Sequence, residues 1–296
     1  QFACYHDGGM ISDGLLLKLS ENKFWFAQGD GHLFGWYKAH SNNLNVHITD
    51  PNVWVSQIQG PKSLKLLNKI VDEPLESKFN YFDWIETSIA NEKVIISRTG
   101  FTNELGWEIY LRPKNNSKKI GDLILEKGKE MGMMLTASPG FRCRRIEAGL
   151  LSAGRDFTKD RTPFSVGLGK FIDFNKGEFI GRNFLKNADK ECLTWGMRVE
   201  DSYALVDTDI FIDNTKVGIV TSSTWSPYQV CGVSIIHMNS KKYGPGTQLK
   251  VLCDDGEYHN AEICNLPMYD PYGEIPRGIK EDIPSGPSPW KGILKN

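Results

Sequence analysis

Lys93-Val94-Ile95-Ile96-Ser97-Arg98-Thr99-Gly100-Phe101-Thr102-Asn103-Glu104-Leu105-Gly106-Trp107-Glu108-Ile109-Tyr110-Leu111 reads as two apolar strands around a polar, glycine-bounded loop. Runs rich in β-branched and aromatic residues, separated by glycine and small polar residues, are the sequence form of a strand pair. Glu108 stands inside the second run, two residues after a glycine, where a carboxylate without a partner costs several kcal/mol. It therefore needs either an arginine of the protein or a ligand that carries hydrogen-bond donors side by side.

Outward from this pair the chain alternates strands with helices. Residues 53–58 read as a strand that Gln59-Gly60-Pro61 ends before a helix over residues 63–71, Pro61 suiting a helix start because its missing N–H costs nothing there. Residues 44–48 read as another strand. Gly14-Leu15-Leu16-Leu17-Lys18-Leu19 and Lys23-Phe24-Trp25-Phe26-Ala27, split by Ser20-Glu21-Asn22, read as a hairpin, and a helix follows near residues 32–40. Downstream, Ile120, Leu123, Ile124 and Met131 fall on one face of an amphipathic helix.

After about residue 195 the chain turns to short apolar runs punctuated by Gly, Asn and Asp, such as Ile210-Phe211-Ile212, Val217-Gly218-Ile219-Val220 and Gly232-Val233-Ser234-Ile235-Ile236. This is the pattern of a small antiparallel barrel or sandwich. The Pro- and Gly-rich end predicts an extended tail wrapping a surface, or disorder. The expected fold class is α+β: mixed sheets with helices over residues 1–195, a small antiparallel β-barrel over 196–268, and a tail over 269–296.

A chain of 296 residues, 40% hydrophobic, can bury a large core and suits two domains. Its 35 basic and 36 acidic residues nearly cancel, which removes the electrostatic reason to expect a nucleic acid or an anionic membrane as partner. A small-molecule substrate is the better default. No apolar run approaches the roughly 20 residues that cross a bilayer. Cys4, Cys143, Cys192, Cys231, Cys253 and Cys264 show no paired spacing, which suits free thiols in the reducing cytoplasm. The histidines also fall singly, so no metal is expected. The abrupt start suggests that the natural protein continues upstream.

Gly8-Gly9-Met10-Ile11-Ser12-Asp13 puts an acid where a glycine turn enters an apolar strand. Asp13 reads either as a turn cap or as a carboxylate held rigidly at a domain edge. Together with Ile58-Gln59-Gly60-Pro61, the loop running from Thr99 through Glu108, Arg145-Ile146-Glu147-Ala148-Gly149-Leu150, Phe179-Ile180-Gly181-Arg182 and Thr221-Ser222-Ser223-Thr224-Trp225-Ser226-Pro227, this stretch resembles the glycine-cleavage T-protein (aminomethyltransferase) family. The pieces occur in family order across most of the chain. Each is weak alone, and the ordered set is specific.

The resemblance implies a folate-binding α+β body, tetrahydrofolate as cofactor and one-carbon transfer as chemistry, with an amino-terminal portion absent here. It places Glu108 on the pterin-binding glutamate, where adjacent N–H donors would meet the carboxylate bidentately. It places Asp13 beside the reactive folate nitrogens, where an acid can steer protonation, and Gln28 where the family has a folate-contacting Asn. Four departures accompany these matches. Phe101 replaces a Tyr, Thr102-Asn103-Glu104 replaces Thr-Gly-Glu, and Gly140-Phe141-Arg142-Cys143 replaces Gly-Ala-Arg-Asp, so the folate-contacting Arg is lost or displaced to Arg142. Ser12 also replaces the first of two acids.

These departures resemble the divergent folate-dependent demethylases of the family, which move a methyl group from an S-, N- or O-methylated small molecule to folate N5. Such a donor, if cationic, would find aromatic faces in Trp25, Trp36, Trp54 or Trp225, though each of these is individually more ordinary as core. Aminomethyl transfer in glycine cleavage remains an alternative. So does a partner domain of a dimethylglycine or sarcosine oxidising enzyme, within a homo-oligomer or a larger multidomain chain. An iron–sulfur repair factor of the same fold would carry Lys-Gly-Cys-Tyr where this chain has Lys176-Gly177-Glu178-Phe179.

Overall fold

The structure is a computed structural model that describes residues 1–31, 33–75, 79–136, 138–280 and 287–292. Chain order runs β1 (Phe2–Cys4), β2 (Met10–Asp13), β3 (Leu15–Ser20), β4 (Lys23–Ala27), α1 (Leu33–Ala39), β5 (Trp54–Gln59), α2 (Ser63–Ile70), β6 (Trp84–Ile89), β7 (Glu92–Ser97), β8 (Gly106–Leu111), α3 (Ser117–Glu130) and α4 (Ser138–Ala148). Then come α5 (Arg182–Asn187), β9 (Thr194–Val199), β10 (Asp209–Ile212), β11 (Thr215–Ser226), β12 (Cys231–Met238), β13 (Gln248–Leu252) and β14 (Tyr258–Cys264). Two compact units result, one of residues 1–48, 146–269 and 286–296, the other of residues 49–145 and 270–285.

The second unit is an antiparallel sheet in the order β5-β8-β7-β6, with α2 and α3 on one face. The sheet supplies alternate residues to the core, Val94 and Ile96 from β7 and Trp107, Ile109 and Leu111 from β8, against Leu66, Leu67 and Ile70 of α2 and Ile120 of α3. Asn116 caps α3 by accepting from the Lys119 amide at 3.1 Å. β6 escaped the sequence reading because it is an edge strand whose Ile85 and Glu86 face water.

The first unit carries two hairpin-like pairs, β1-β2 and β3-β4, and a closed barrel ordered β10-β11-β12-β9-β14-β13. Closure removes the free strand edges, and Met197, Val199, Ile210, Val220, Ile236, Val251 and Ile263 fill the interior. A second core forms around Met10, Ile146, Phe157, Leu185, Val233 and Ile235. Gly9 is required where β2 begins, since a Cβ there would lie 1.9 Å from the Lys159 carbonyl oxygen. The architecture is the α+β class read from the sequence, with the antiparallel barrel toward the C-terminal end.

Residues 44–48, expected as a strand, are not one. Asn43 adopts a left-handed φ of 67°, and the Leu44 and Val46 amides donate to the nearby Ser41 and Leu44 carbonyls at 3.0 and 2.9 Å, so no ladder forms. Residues 270–280 are successive turns rather than an extended tail. Asp270 accepts from the Glu274 and Ile275 amides, both at 2.9 Å, and Ile275 is 2% exposed. Ser288 and Trp290 donate to the Tyr228 and Gln229 carbonyls at 2.8 and 2.7 Å. The rest of the tail expectation falls on residues 281–286 and 293–296, outside the described residues.

Candidate active site

In the second unit, β5 sets Gln57 directly opposite Glu108, and β7 sets Ser97 against the other side of β8 at the same residue. Since side chains alternate along a strand, Trp107 and Ile109 enter the core while Glu108 and Tyr110 share the opposite face with Gln57 and Ser97. There Thr99 Oγ1 and Tyr110 OH donate to Glu108 Oε2, the latter at 3.2 Å, and Gln57 Nε2 donates to Oε1 at 3.1 Å. Ser97 Oγ lies 2.5 Å behind Thr99 Oγ1. Burial pushes the Glu108 carboxyl above its ordinary range, against the opposing pull of the Thr99 and Tyr110 hydrogen bonds. Among the described residues Glu108 forms no ion pair, so the arginine that the sequence allowed as its partner is not there. Burial, reinforced by the Glu108 charge, also pushes the Tyr110 phenol up.

The loop between β7 and β8 is pinned by Gln59. Its Nε2 donates to the Thr99 carbonyl at 3.3 Å, and its Oε1 accepts from Thr102 Oγ1 at 2.7 Å. The amide sits so close to Gly100 and Gly106 that a Cβ on either would lie within 2.4 and 2.0 Å of it. Asn103 holds φ at 56°, a left-handed conformation that Asn tolerates best after Gly, which accounts for Asn standing where the family has Gly. Phe101 is half-buried in this loop. Arg142, on α4, is exposed, whereas Arg144 pairs with Glu104.

In the first unit, Asp13 ends β2 opposite Phe2 and does not cap the turn. That task belongs to Asp7, whose Oδ1 accepts from the Gly9 amide at 3.1 Å. Burial raises Asp13 to about 6, with its own backbone pulling down and Asp30 pushing up. Ser12 Oγ donates to the Asp30 carbonyl at 2.6 Å, Gln28 Nε2 to the Gly31 carbonyl at 2.8 Å, and Ser152 Oγ to Asp30 Oδ2 at 2.7 Å. The loop carrying Gln28 is thus clamped to the strand carrying Asp13. Trp225 lies on β11 opposite Gly232 and is 36% exposed. Trp36 is occupied by Tyr5 and His40, at ring separations of 5.1 and 4.1 Å.

Two fully buried carboxylates escaped sequence reasoning. Asp156 accepts from Thr221 Oγ1 and Ser222 Oγ, both at 2.7 Å, and from the Ser152 amide at 2.9 Å. Neighbouring strand residues normally point to opposite faces, but a bulge between Val220 and Ser222 lets both hydroxyls reach one acid. Glu147 accepts from Ser226 Oγ at 2.6 Å and Gln229 Nε2 at 3.1 Å. The available signal was the hydroxyl run Thr221-Ser222-Ser223 inside an apolar strand. An open pocket of about 410 Å³ lies over Phe179-Ile180-Gly181-Arg182, beside His6 and Glu178, and contains none of the candidate site residues.

With this geometry in hand, family models described as the GCVT N-terminal domain and the glycine cleavage T-protein C-terminal barrel domain match residues 1–176 and 194–270. The chain belongs to the glycine-cleavage T-protein family. It is thereby one of the family's folate-dependent one-carbon transferases. A T-protein relative, the aminomethyltransferase of Caldanaerobacter subterraneus subsp. tengcongensis, is 31% identical, covering 85% of this chain and 69% of its own. The trimethylamine-oxide aldolase of Ruegeria pomeroyi is 28% identical over 93% of this chain, which spans 37% of that protein. The crystal structure of the T-protein of Bartonella henselae superposes with a TM-score of 0.79 at 20% identity, over 91% of this chain and 75% of that one, and shares the fold. No described helix of this T-protein family member is long and apolar enough to cross a membrane, and no group of three or more described His, Cys, Asp or Glu residues could hold a metal ion.

The residues present fit the family's cofactor. Around Glu108, the buried Gln57 Oε1 has no hydrogen-bond partner among the described residues, an orphaned acceptor whose chemistry suits a donor-bearing ligand.

Proposed function

We propose that this T-protein family member takes a methyl group from a small S-, N- or O-methylated donor onto N5 of tetrahydrofolate. The observation that carries the reading is Glu108, a half-buried carboxylate on a sheet face with no ion pair among the described residues, fixed by Thr99, Tyr110 and Gln57. Bound tetrahydrofolate would supply the nucleophilic nitrogen. Glu108 holds the pterin edge, and the Gln59-pinned loop brings Phe101 as an apolar wall. Asp13, whose carboxyl burial lifts to about 6, would donate or accept a proton at the nitrogens beside the transfer. Gln28, Arg142 and Trp225 remain candidate cofactor contacts, the exposed Arg142 for the charged end of the folate. Holding donor and acceptor together supplies most of the catalysis such a transfer needs.

Methylated donors are favoured over an aminomethyl group by Phe101, which lacks a loop hydroxyl, and by a relative whose name states action on trimethylamine oxide. Aminomethyl transfer is the second reading and draws on the relatives named aminomethyltransferase. The enzyme would act in the cytoplasm, where its free thiols remain reduced. Burial pushes Cys4 and Cys231 up to about 12. No nucleic acid or membrane is invoked as a partner, and a homo-oligomer or a larger multidomain chain is compatible with this reading. The test is incubation with tetrahydrofolate and a panel of sulfonium, methylamine, amine-oxide and aryl-ether donors, followed by mass spectrometry. Methyltetrahydrofolate from one donor class supports the proposal; methylenetetrahydrofolate formed only from an aminomethylated lipoyl carrier would replace it with the second reading.

A further inference from the structure

We infer that Gln57 is a cofactor-binding residue, and that the pterin edge is read by Glu108 Oε1 and Gln57 Oε1 together rather than by both oxygens of Glu108. The inference rests on the folate reading above and deepens it. A carboxylate offers about four lone-pair positions. Thr99 and Tyr110 occupy Oε2, and Gln57 Nε2 occupies one side of Oε1. One position remains, so Glu108 cannot accept two further N–H donors without discarding a hydrogen bond the fold has built.

Gln57 supplies the missing acceptor. Its amide orientation is dictated by its neighbour: turning it over would set two oxygens against each other, so the N–H side must face Glu108 and the oxygen must face away. That oxygen is buried and unpartnered among the described residues, a costly state for a protein to keep without use. Because Gln57 and Glu108 are directly opposed across β5 and β8, their free acceptors belong to one cross-strand pair, a few ångströms apart. An aminopyrimidine edge carries one ring N–H and the two N–H bonds of its amino group, a donor row that suits two acceptors on neighbouring side chains. An arginine or lysine in place of Gln57 would satisfy Glu108 and leave no such acceptor.

The test compares wild type with Gln57→Met, which removes the acceptor and keeps the volume, and with Gln57→Lys, which retains a donor to Glu108 but has no acceptor. Two readouts are taken: calorimetric titration with tetrahydrofolate, and the thermal midpoint of the ligand-free protein. The expected result is about tenfold weaker binding in both variants, the factor of one hydrogen bond, with a ligand-free midpoint no lower than wild type in Gln57→Lys, the variant that keeps a donor to Glu108. Wild-type affinity in both variants would overturn the inference and leave water as the partner of Oε1. So would a Gln57→Lys midpoint that falls in step with affinity, which marks a structural role. If wild type itself does not bind, the folate reading fails along with the inference. If Glu108→Ala abolishes binding and the Gln57 variants do not weaken it, this inference alone fails.

Discussion

Asp13 should make the protein less stable as the pH rises from about 4 to about 6, and Asp13→Asn should remove that dependence. Burial lifts the Asp13 carboxyl from 3.8 to about 6 in the folded chain. A raised acid favours folding while it is protonated. Its contribution is fully present below the unfolded value near 4 and is lost as the pH climbs through the folded value near 6. The full difference of about 2.2 units is worth about 3 kcal/mol, an upper figure because the side chain keeps some contact with solvent. Between pH 4 and pH 8 the stability gap between Asp13→Asn and wild type should widen by about 2 kcal/mol. Urea unfolding of both proteins at pH 4, 5, 6, 7 and 8 measures it. A gap that stays constant across this range would refute the claim that burial raises the Asp13 carboxyl, and with it the role given to its proton.

His237 should behave in the opposite sense. Burial, with Arg161 adding to it, lowers its folded pKa from 6.5 to about 4, so its contribution is present above pH 6.5 and lost as the pH falls toward 4. Its ring resonances in NMR should therefore show a neutral imidazole at pH 5.5, and a protonated ring there would contradict the burial argument. Asp156→Ala strips an acceptor from Thr221, Ser222 and the Ser152 amide, and should cost about 3–5 kcal/mol in chemical denaturation; a loss under about 1 kcal/mol would mean that the bulge in β11 serves another purpose. Gly106→Ala puts a Cβ about 2.0 Å from Gln59 Oε1 and should destabilise by about 1–3 kcal/mol. Gln59→Ala in the same chain should relieve part of that cost, whereas simple additivity of the two changes would show that they do not meet.

Much of the fold was legible because it obeys simple periodicities. The β3-β4 hairpin, the β7-loop-β8 unit and the barrel strands all show apolar runs punctuated by turn residues, and the structure pairs them accordingly. The segment over residues 44–48 failed because alternating Leu44 and Val46 carried no information about whether a neighbouring strand existed to pair with. β6 was missed for the converse reason: an edge strand facing water needs few apolar residues.

The site divides in the same way. Glu108 could be singled out because a charge within an apolar strand is anomalous wherever the chain goes. Gln57 could not, since a glutamine in a strand is unremarkable until the register sets it across from Glu108. Asp156 and Glu147 lie beside sequence that looks ordinary, and their hydroxyl partners are between 65 and 79 residues away along the chain. Long-range partners of this kind belong to tertiary structure: the hydroxyl run Thr221-Ser222-Ser223 marks one end of the contact, and nothing near the acids marks the other.

The account stands on Glu108 as the residue that holds the cofactor. Calorimetric titration of the full chain with tetrahydrofolate, beside Glu108→Ala and Glu108→Gln, tests that directly. The account predicts micromolar binding by the native protein and at least a tenfold to hundredfold loss in both variants, the range for a hydrogen bond to a charged acceptor. Glu108→Gln should fare no better than the alanine, because it puts an N–H where the ligand also brings one. Equal binding by all three proteins, or none by the native chain, would contradict the claim.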